Sequence, residues 1–208
     1  GSEMCIRDSL GAVRKPHGLV LICGPTGSGK STTLYATLRL LNETTRNILT
    51  IEDPVEYTLE GVNQVQLRED IGLTFSAALR TFLRQDPDIV MLGEIRDADT
   101  AQMAIRSALT GHLIFSTIHT NSAWGCVSRL TDMGVHPYLL ADTLVLCVAQ
   151  RLVRLLCPHC KVPRDDRHGF RAVGCEACYD TGYAGRKAIY EVLPVDDRLA
   201  SAIRRTEE

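Results

Sequence analysis

Residues Gly24, Pro25, Thr26, Gly27, Ser28, Gly29, Lys30, Ser31 and Thr32 run in an order that suits the grip of a polyphosphate. The first eight match G-x-x-x-x-G-K-[ST] at every fixed position. Glycines let consecutive backbone N–H groups turn inward without Cβ clashes. Lys30 brings a compact positive charge to the β- and γ-phosphates, and the Ser31 hydroxyl can ligate Mg²⁺. A helix beginning at Ser31 would add the positive end of its dipole. The chemistry implied is binding of Mg·ATP, with ADP as the product.

Hydrolysis needs an acid near the metal and a group that orients water. Ile89-Val90-Met91-Leu92-Gly93-Glu94 is an apolar strand pattern that ends on a carboxylate. Glu94 would therefore support Mg²⁺, through a water. A second acidic cluster, Glu52-Asp53-Pro54-Val55-Glu56, follows the strand pattern of 47–51. Such a cluster is often a solvated loop, but its position after a parallel strand points an acid at the γ-phosphate. His119 closes a third strand pattern and is read as a sensor of that phosphate or a bridge to the acids. Arg96, just beyond Glu94, can pair with the acids or touch phosphate. Together these readings require Lys30 and Glu94 to face one cavity.

Cys157, Cys160, Cys175 and Cys178 form two Cys-x-x-Cys pairs, with 14 residues between the pairs. Four thiolates in two close pairs suit tetrahedral Zn²⁺, and glycines and prolines around them cannot build a core unaided. Disulfides are the alternative, disfavoured in a reducing compartment. The other four of the eight cysteines are scattered. Cys23, Cys126 and Cys147 lie in apolar surroundings and read as small buried hydrophobes, while Cys5 does not.

The elements that must position these groups follow from periodicity. Strands are expected at 19–23, 47–51, 64–67, 89–92, 113–117 and 188–193, with 64–67 at an edge. Helices are expected at 31–41, 74–84 with Thr74 as N-cap, 98–110, and from about 122. The apolar-rich stretch 139–156, broken by Asp142, Gln150, Arg151 and Arg154, reads as an amphipathic helix. Alternation of strand and helix implies right-handed crossovers, hence an α/β fold with a mainly parallel sheet. Residues 1–9 show no periodicity and are set aside as a tag or scar. The expected division is an ATPase core at 10–152, a cysteine module at 153–187, and a returning strand with the start of a helical region at 188–208.

The 208 residues suffice for one full core with a small appended module. Apolar residues at 45% and charged residues at 23% exclude wholesale disorder. A net charge of −2 argues against a dedicated nucleic-acid binder, as do 5% aromatics and the lack of a long basic run. No signal peptide is expected at the start, and no run reaches the roughly 18 apolar residues of a membrane helix. A cytoplasmic location follows, with any membrane association made through partners rather than by insertion. A nucleic-acid-driven motor and a non-catalytic nucleotide-gated scaffold remain as alternatives of other classes.

Four ordered segments resemble the secretion NTPase superfamily, and the assembly ATPases of type II secretion and type IV pilus extension above all. Residues 24–31 resemble its Walker A loop. Thr50-Ile51-Glu52-Asp53-Pro54-Val55-Glu56 is similar to its Asp box, and Gly93-Glu94-Ile95-Arg96-Asp97 to its Walker B. Gly111-His112-Leu113-Ile114-Phe115-Ser116-Thr117-Ile118-His119-Thr120-Asn121 is similar to its His box. The resemblance covers about 10–199 and implies a RecA-like motor domain. It makes Glu56 the general base or water-orienting residue, keeps Glu94 on Mg²⁺, and puts His119 in the nucleotide-sensing shell. It further implies a hexamer at the cytoplasmic face of the inner membrane, working with secretion or pilus platform proteins. Stretches 46–50 and 149–154 lean toward the secretion branch. Extension ATPases of this family carry a tetracysteine element, here with a shorter intervening loop. The resemblance also predicts a preceding domain and further helices beyond Glu208, so the expected object is a motor fragment with weak turnover.

Overall fold

The computed structural model describes residues 11–164 and 168–205. The expectations for 1–9, Cys5 and the last three residues lie outside that span. The central parallel strands are short and mostly apolar: β1 (Gly18–Cys23), β4 (Ile89–Leu92) and β5 (Leu113–Ile118) are buried at every position. Strands buried on both faces need no polar alternation, so they read as continuous apolar runs. With β2 (Ile48–Glu52), β3 (Asn63–Gln66), β6 (Leu144–Leu156) and β9 (Tyr183–Pro194) they form a seven-stranded sheet. Its order is β3-β2-β4-β5-β1-β6-β9, and only β9 runs antiparallel to its neighbour.

Alternate side chains of each strand enter two separate cores. Val20 and Ile22 of β1 join Leu34, Tyr35, Leu38 and Leu41 of α1 (Lys30–Leu41). Leu19, Leu21 and Cys23 join the opposite face, covered by α2 (Phe75–Phe82), α3 (Ala98–Leu109), α4 (Gly125–Asp132), α5 (Pro137–Thr143) and α6 (Asp197–Arg204). Alternation of side chains between the two faces thus gives a three-layer α/β sandwich. Helix starts follow capping chemistry. The Thr74 hydroxyl accepts from the Ala77 N–H at 3.2 Å, and Asp97 Oδ1 from the Thr100 N–H at 2.8 Å.

One element departs from the sequence reading. The stretch 139–156 is not one amphipathic helix. Pro137, at the first helical turn, starts a short helix that ends at Thr143, and a 13-residue strand follows. Residues 144–150 are buried between β1 and β9, and a buried run carries no period that separates helix from strand. Arg151 and Arg154 sit where β6 leaves the core as a ribbon paired with β9. That ribbon runs through the 152/153 boundary and carries the cysteine module, whose own β7 (Val162–Pro163) and β8 (Phe170–Arg171) form a two-stranded sheet. Among the described residues no helix is long and apolar enough to cross a membrane.

Candidate active site and metal centre

Because β1, β2, β4 and β5 are parallel, their C-terminal ends share one edge of the sheet, where ligands of open α/β sheets bind. A cleft of about 680 Å³ opens there. Thr26, Gly27, Gly29, Lys30, Ser31 and Thr32 line it from the glycine-rich loop. Gly24, Pro25 and Ser28 of the loop are not part of that lining. The Gly24 and Pro25 carbonyls accept from the Lys30 ammonium at 3.0 and 3.1 Å. Burial lowers the Lys30 pKa, and the nearby Glu94 carboxylate opposes that shift. The lysine is therefore a partly desolvated cation, suited to an incoming phosphate group.

The loop is locked from beneath by Gln150 of β6. Its amide Nε2 donates to the Ser28 carbonyl at 2.7 Å, and its Oε1 accepts from the Thr33 hydroxyl at 2.7 Å. A Cβ on Gly24, at φ 141°, would stand 2.3 Å from the Gln150 carbonyl oxygen, so only glycine fits that crossing. Sequence reasoning missed Gln150, treating it as an interruption of an apolar run. Its signal was a lone amide inside that run.

The acids arrive from the neighbouring strands. Glu94 follows β4, with one carboxylate oxygen accepting from Arg96 and the other 3.6 Å from His119 Nε2. Arg96 also reaches Asp53 Oδ2 at 3.4 Å. Arg96 is the largest cause of the lowered Glu94 pKa, burial opposing it and His119 and Lys30 adding to it. Glu94 is thus held ionised. The loop that carries it is tied to β5, where the Thr117 hydroxyl donates to the Gly93 carbonyl at 2.8 Å. Glu94, His119, Glu52 and Glu56 all line the cleft with Lys30, whereas Arg96 stands behind Glu94 as its partner.

The two acids of the β2 loop differ in setting. Glu52 is buried, accepting from Tyr35 on Oε2 and from Thr50 and Gln64 on Oε1 at 2.5 and 3.1 Å. Glu56 is exposed to the cleft, and among the described residues nothing engages its carboxylate. A carboxylate saturated by donors holds structure, whereas an uncommitted one is available to a water. Tyr35, Gln64 and the cleft-lining Arg186 of β9 are further residues that sequence reasoning missed.

The cysteines meet at the far end of the ribbon. The four Sγ atoms lie within 4.8 Å of one another. Cys157–Cys175, Cys160–Cys178 and Cys175–Cys178 are separated by 3.9, 3.8 and 3.8 Å. A tetrahedron with Zn–S near ~2.3 Å has edges of about 3.8 Å, so the donor set fits zinc. These thiols are free, which sets disulfides aside. Backbone N–H groups of Gly174, Cys175 and Gly182 point at Cys160 and Cys178 sulfur at 3.4, 3.3 and 3.2 Å. Burial disfavours the Cys178 thiolate, yet the Cys175 and Gly182 N–H groups, with the Cys175 and Cys160 thiols, together outweigh it and bring that thiol down to about 6. Cys23, Cys126 and Cys147 are buried in the apolar core, as expected for small hydrophobes.

The chain matches the family model described as "Type II/IV secretion system protein" over residues 4–208. It is 56% identical over 193 residues to the type II secretion system protein HxcR of Pseudomonas aeruginosa, covering 93% of this chain and 41% of that protein. It is 52% identical over 210 residues to the type IV pilus assembly ATPase PilB of Myxococcus xanthus, covering 92% and 37%. Among solved structures it resembles the pilus retraction motor PilT with bound ADP, at TM-score 0.77 and 34% identity, covering 96% of this chain and 53% of that one. The chain therefore spans about two fifths of the length of these curated relatives. A phosphate loop, two acid-bearing strand tips and a third that bears His119 share one cleft, and the chain belongs to the type II/IV secretion system protein family.

Proposed function

We propose that the chain binds Mg·ATP in the 680 Å³ cleft and hydrolyses it as the motor domain of a type II secretion assembly ATPase. One observation carries this reading: Lys30, Ser31, Glu94, His119 and Glu56 line the same cleft. Loop N–H groups and Lys30 bind the β- and γ-phosphates. The Ser31 hydroxyl and the ionised Glu94, the latter through water, would hold Mg²⁺, which neutralises charge building on the transferring phosphoryl group. Glu56 orients the attacking water and takes its proton. His119 reports the γ-phosphate to Glu94, and Arg96 keeps Glu94 ionised and aimed. Cys157, Cys160, Cys175 and Cys178 would hold a structural Zn²⁺ that staples the ribbon end.

The secretion assignment is supported by the relative HxcR, and the pilus extension alternative by PilB at similar identity. By the same likeness the working form is a hexamer, cytoplasmic and held at the inner membrane by platform proteins. Neither a nucleic-acid partner nor membrane insertion is part of the reading. Since the chain spans about two fifths of its curated relatives, we expect weak hydrolysis from this span alone.

Equilibrium binding of a fluorescent ATP analogue with single-turnover phosphate release tests the proposal. Glu56→Gln should bind like wild type and lose turnover, and Glu94→Gln should lose the dependence on magnesium. A scaffold that only binds nucleotide would show no turnover in any variant, wild type included. Stimulation by single-stranded DNA would instead favour a nucleic-acid-driven motor.

A further inference from the structure

Glu56 sits in an exposed loop where, among the described residues, no side chain engages its carboxylate, yet the proposed reaction requires that carboxylate at a fixed distance from the phosphates. Its backbone supplies the fixed point. The Glu56 N–H donates to the Tyr35 hydroxyl at 3.2 Å. Tyr35 belongs to α1, four residues after Ser31 and one helical turn below the phosphate cradle. The same hydroxyl donates to Glu52 Oε2, and Gln64 Nε2 approaches it at 3.5 Å. Glu52 is itself held by Thr50 and Gln64, so the phenol is seated on a buried acid at the end of β2. The Tyr35 side chain is only 1% exposed, and its ring meets the Tyr57 ring edge-on at 4.6 Å.

From this arrangement, and resting on the functional reading above, we infer that Tyr35 is the positioning residue that ties Glu56 to the helix carrying Lys30 and Ser31. Phosphate cradle and water-orienting acid are then one rigid unit, joined through a single hydroxyl. Three facts support it. The hydroxyl bridges two elements that no other side chain in the cleft joins by hydrogen bonds among the described residues. Burial and the Glu52 carboxylate push the phenol up to about 12, so it keeps its proton at neutral pH and remains a donor to Glu52. Glu52, though in the acidic cluster, has its oxygens committed to these donors and acts as the seat for Tyr35. Tyr35 touches no reacting atom and acts through Glu56.

Tyr35→Phe keeps the ring and removes the bridge. Affinity for ADP should stay within about twofold of wild type, because Lys30 and the loop are untouched. Single-turnover hydrolysis and affinity for ADP–aluminium fluoride, which mimics the phosphoryl group under attack, should both fall roughly tenfold. Equal loss of ADP and ADP–aluminium fluoride affinity would assign Tyr35 a merely structural role and overturn the inference, as would unchanged turnover. Should the variant not fold, amide hydrogen exchange in the wild-type protein decides. The Glu56 N–H should be protected despite its exposed loop, and exchange at the unprotected rate overturns the inference. A Glu56→Gln control separates the levels. If it hydrolyses ATP normally, the functional reading itself falls; if it is inactive while Tyr35→Phe is not, only the role of Tyr35 falls.

Discussion

The Gln150 side chain donates to the Ser28 carbonyl at 2.7 Å, joining the sixth strand to the phosphate loop across 122 residues of chain. A buried carbonyl with one good donor loses it at full desolvation cost. Gln150→Ala should therefore destabilise the fold by about 1–3 kcal/mol. A chain of this size loses about 2–4 °C of Tm per kcal/mol, which calorimetry resolves. Nucleotide affinity should drop as well, since the loop is no longer pre-set. Unaltered Tm and affinity would show that the loop holds its shape alone.

The pairing of Glu94 with Arg96 gives a pH dependence of definite sign. Arg96 holds the folded Glu94 pKa below its ordinary value of 4.5. The pair's contribution is present above the unfolded carboxylate value and is lost as pH falls through the folded value. Arg96 is 50% exposed, so solvent screening limits the contribution to about 0.2–1 kcal/mol. Arg96→Ala should be less stable than wild type by that amount at pH 7, and the gap should close as pH falls through the lowered folded Glu94 value. The same substitution should raise the Glu94 titration midpoint followed by NMR. A gap independent of pH would assign the loss to packing of the arginine stem.

The ribbon joins legible and illegible parts of this chain. Strands β1, β4 and β5 could be read because parallel strands buried on both faces leave unbroken apolar runs, and the loop after Cys23 because phosphate geometry demands glycines. The tetracysteine cluster was legible from spacing alone. The stretch 139–156 was misread because seven buried residues of β6 carry no period, and Arg151 and Arg154 mark the exit from the core rather than a polar helix face. Gln150 and Tyr35 were invisible as site residues for another reason. Their roles depend on partners brought together only by the fold: Ser28 and Thr33 for one, Glu52 and Glu56 for the other.

Metal content provides an independent check on the cysteine module. One zinc per chain is expected by elemental analysis, and Cys178→Ser should abolish it. Chelation should lower Tm and unfold the ribbon end, while the α/β core keeps its far-UV signal. Full thermal stability after complete metal removal would contradict a stapling role.

The proposed motor works only if Lys30, the loop amides and Glu94 converge on one magnesium triphosphate. Isothermal titration of wild type and Lys30→Ala with ATP, with and without magnesium, is the decisive test. Removing a charge-assisted contact worth about 1.5–3 kcal/mol should weaken Mg·ATP binding about 10- to 150-fold. Wild-type affinity in Lys30→Ala, or binding indifferent to magnesium in the native chain, would contradict it.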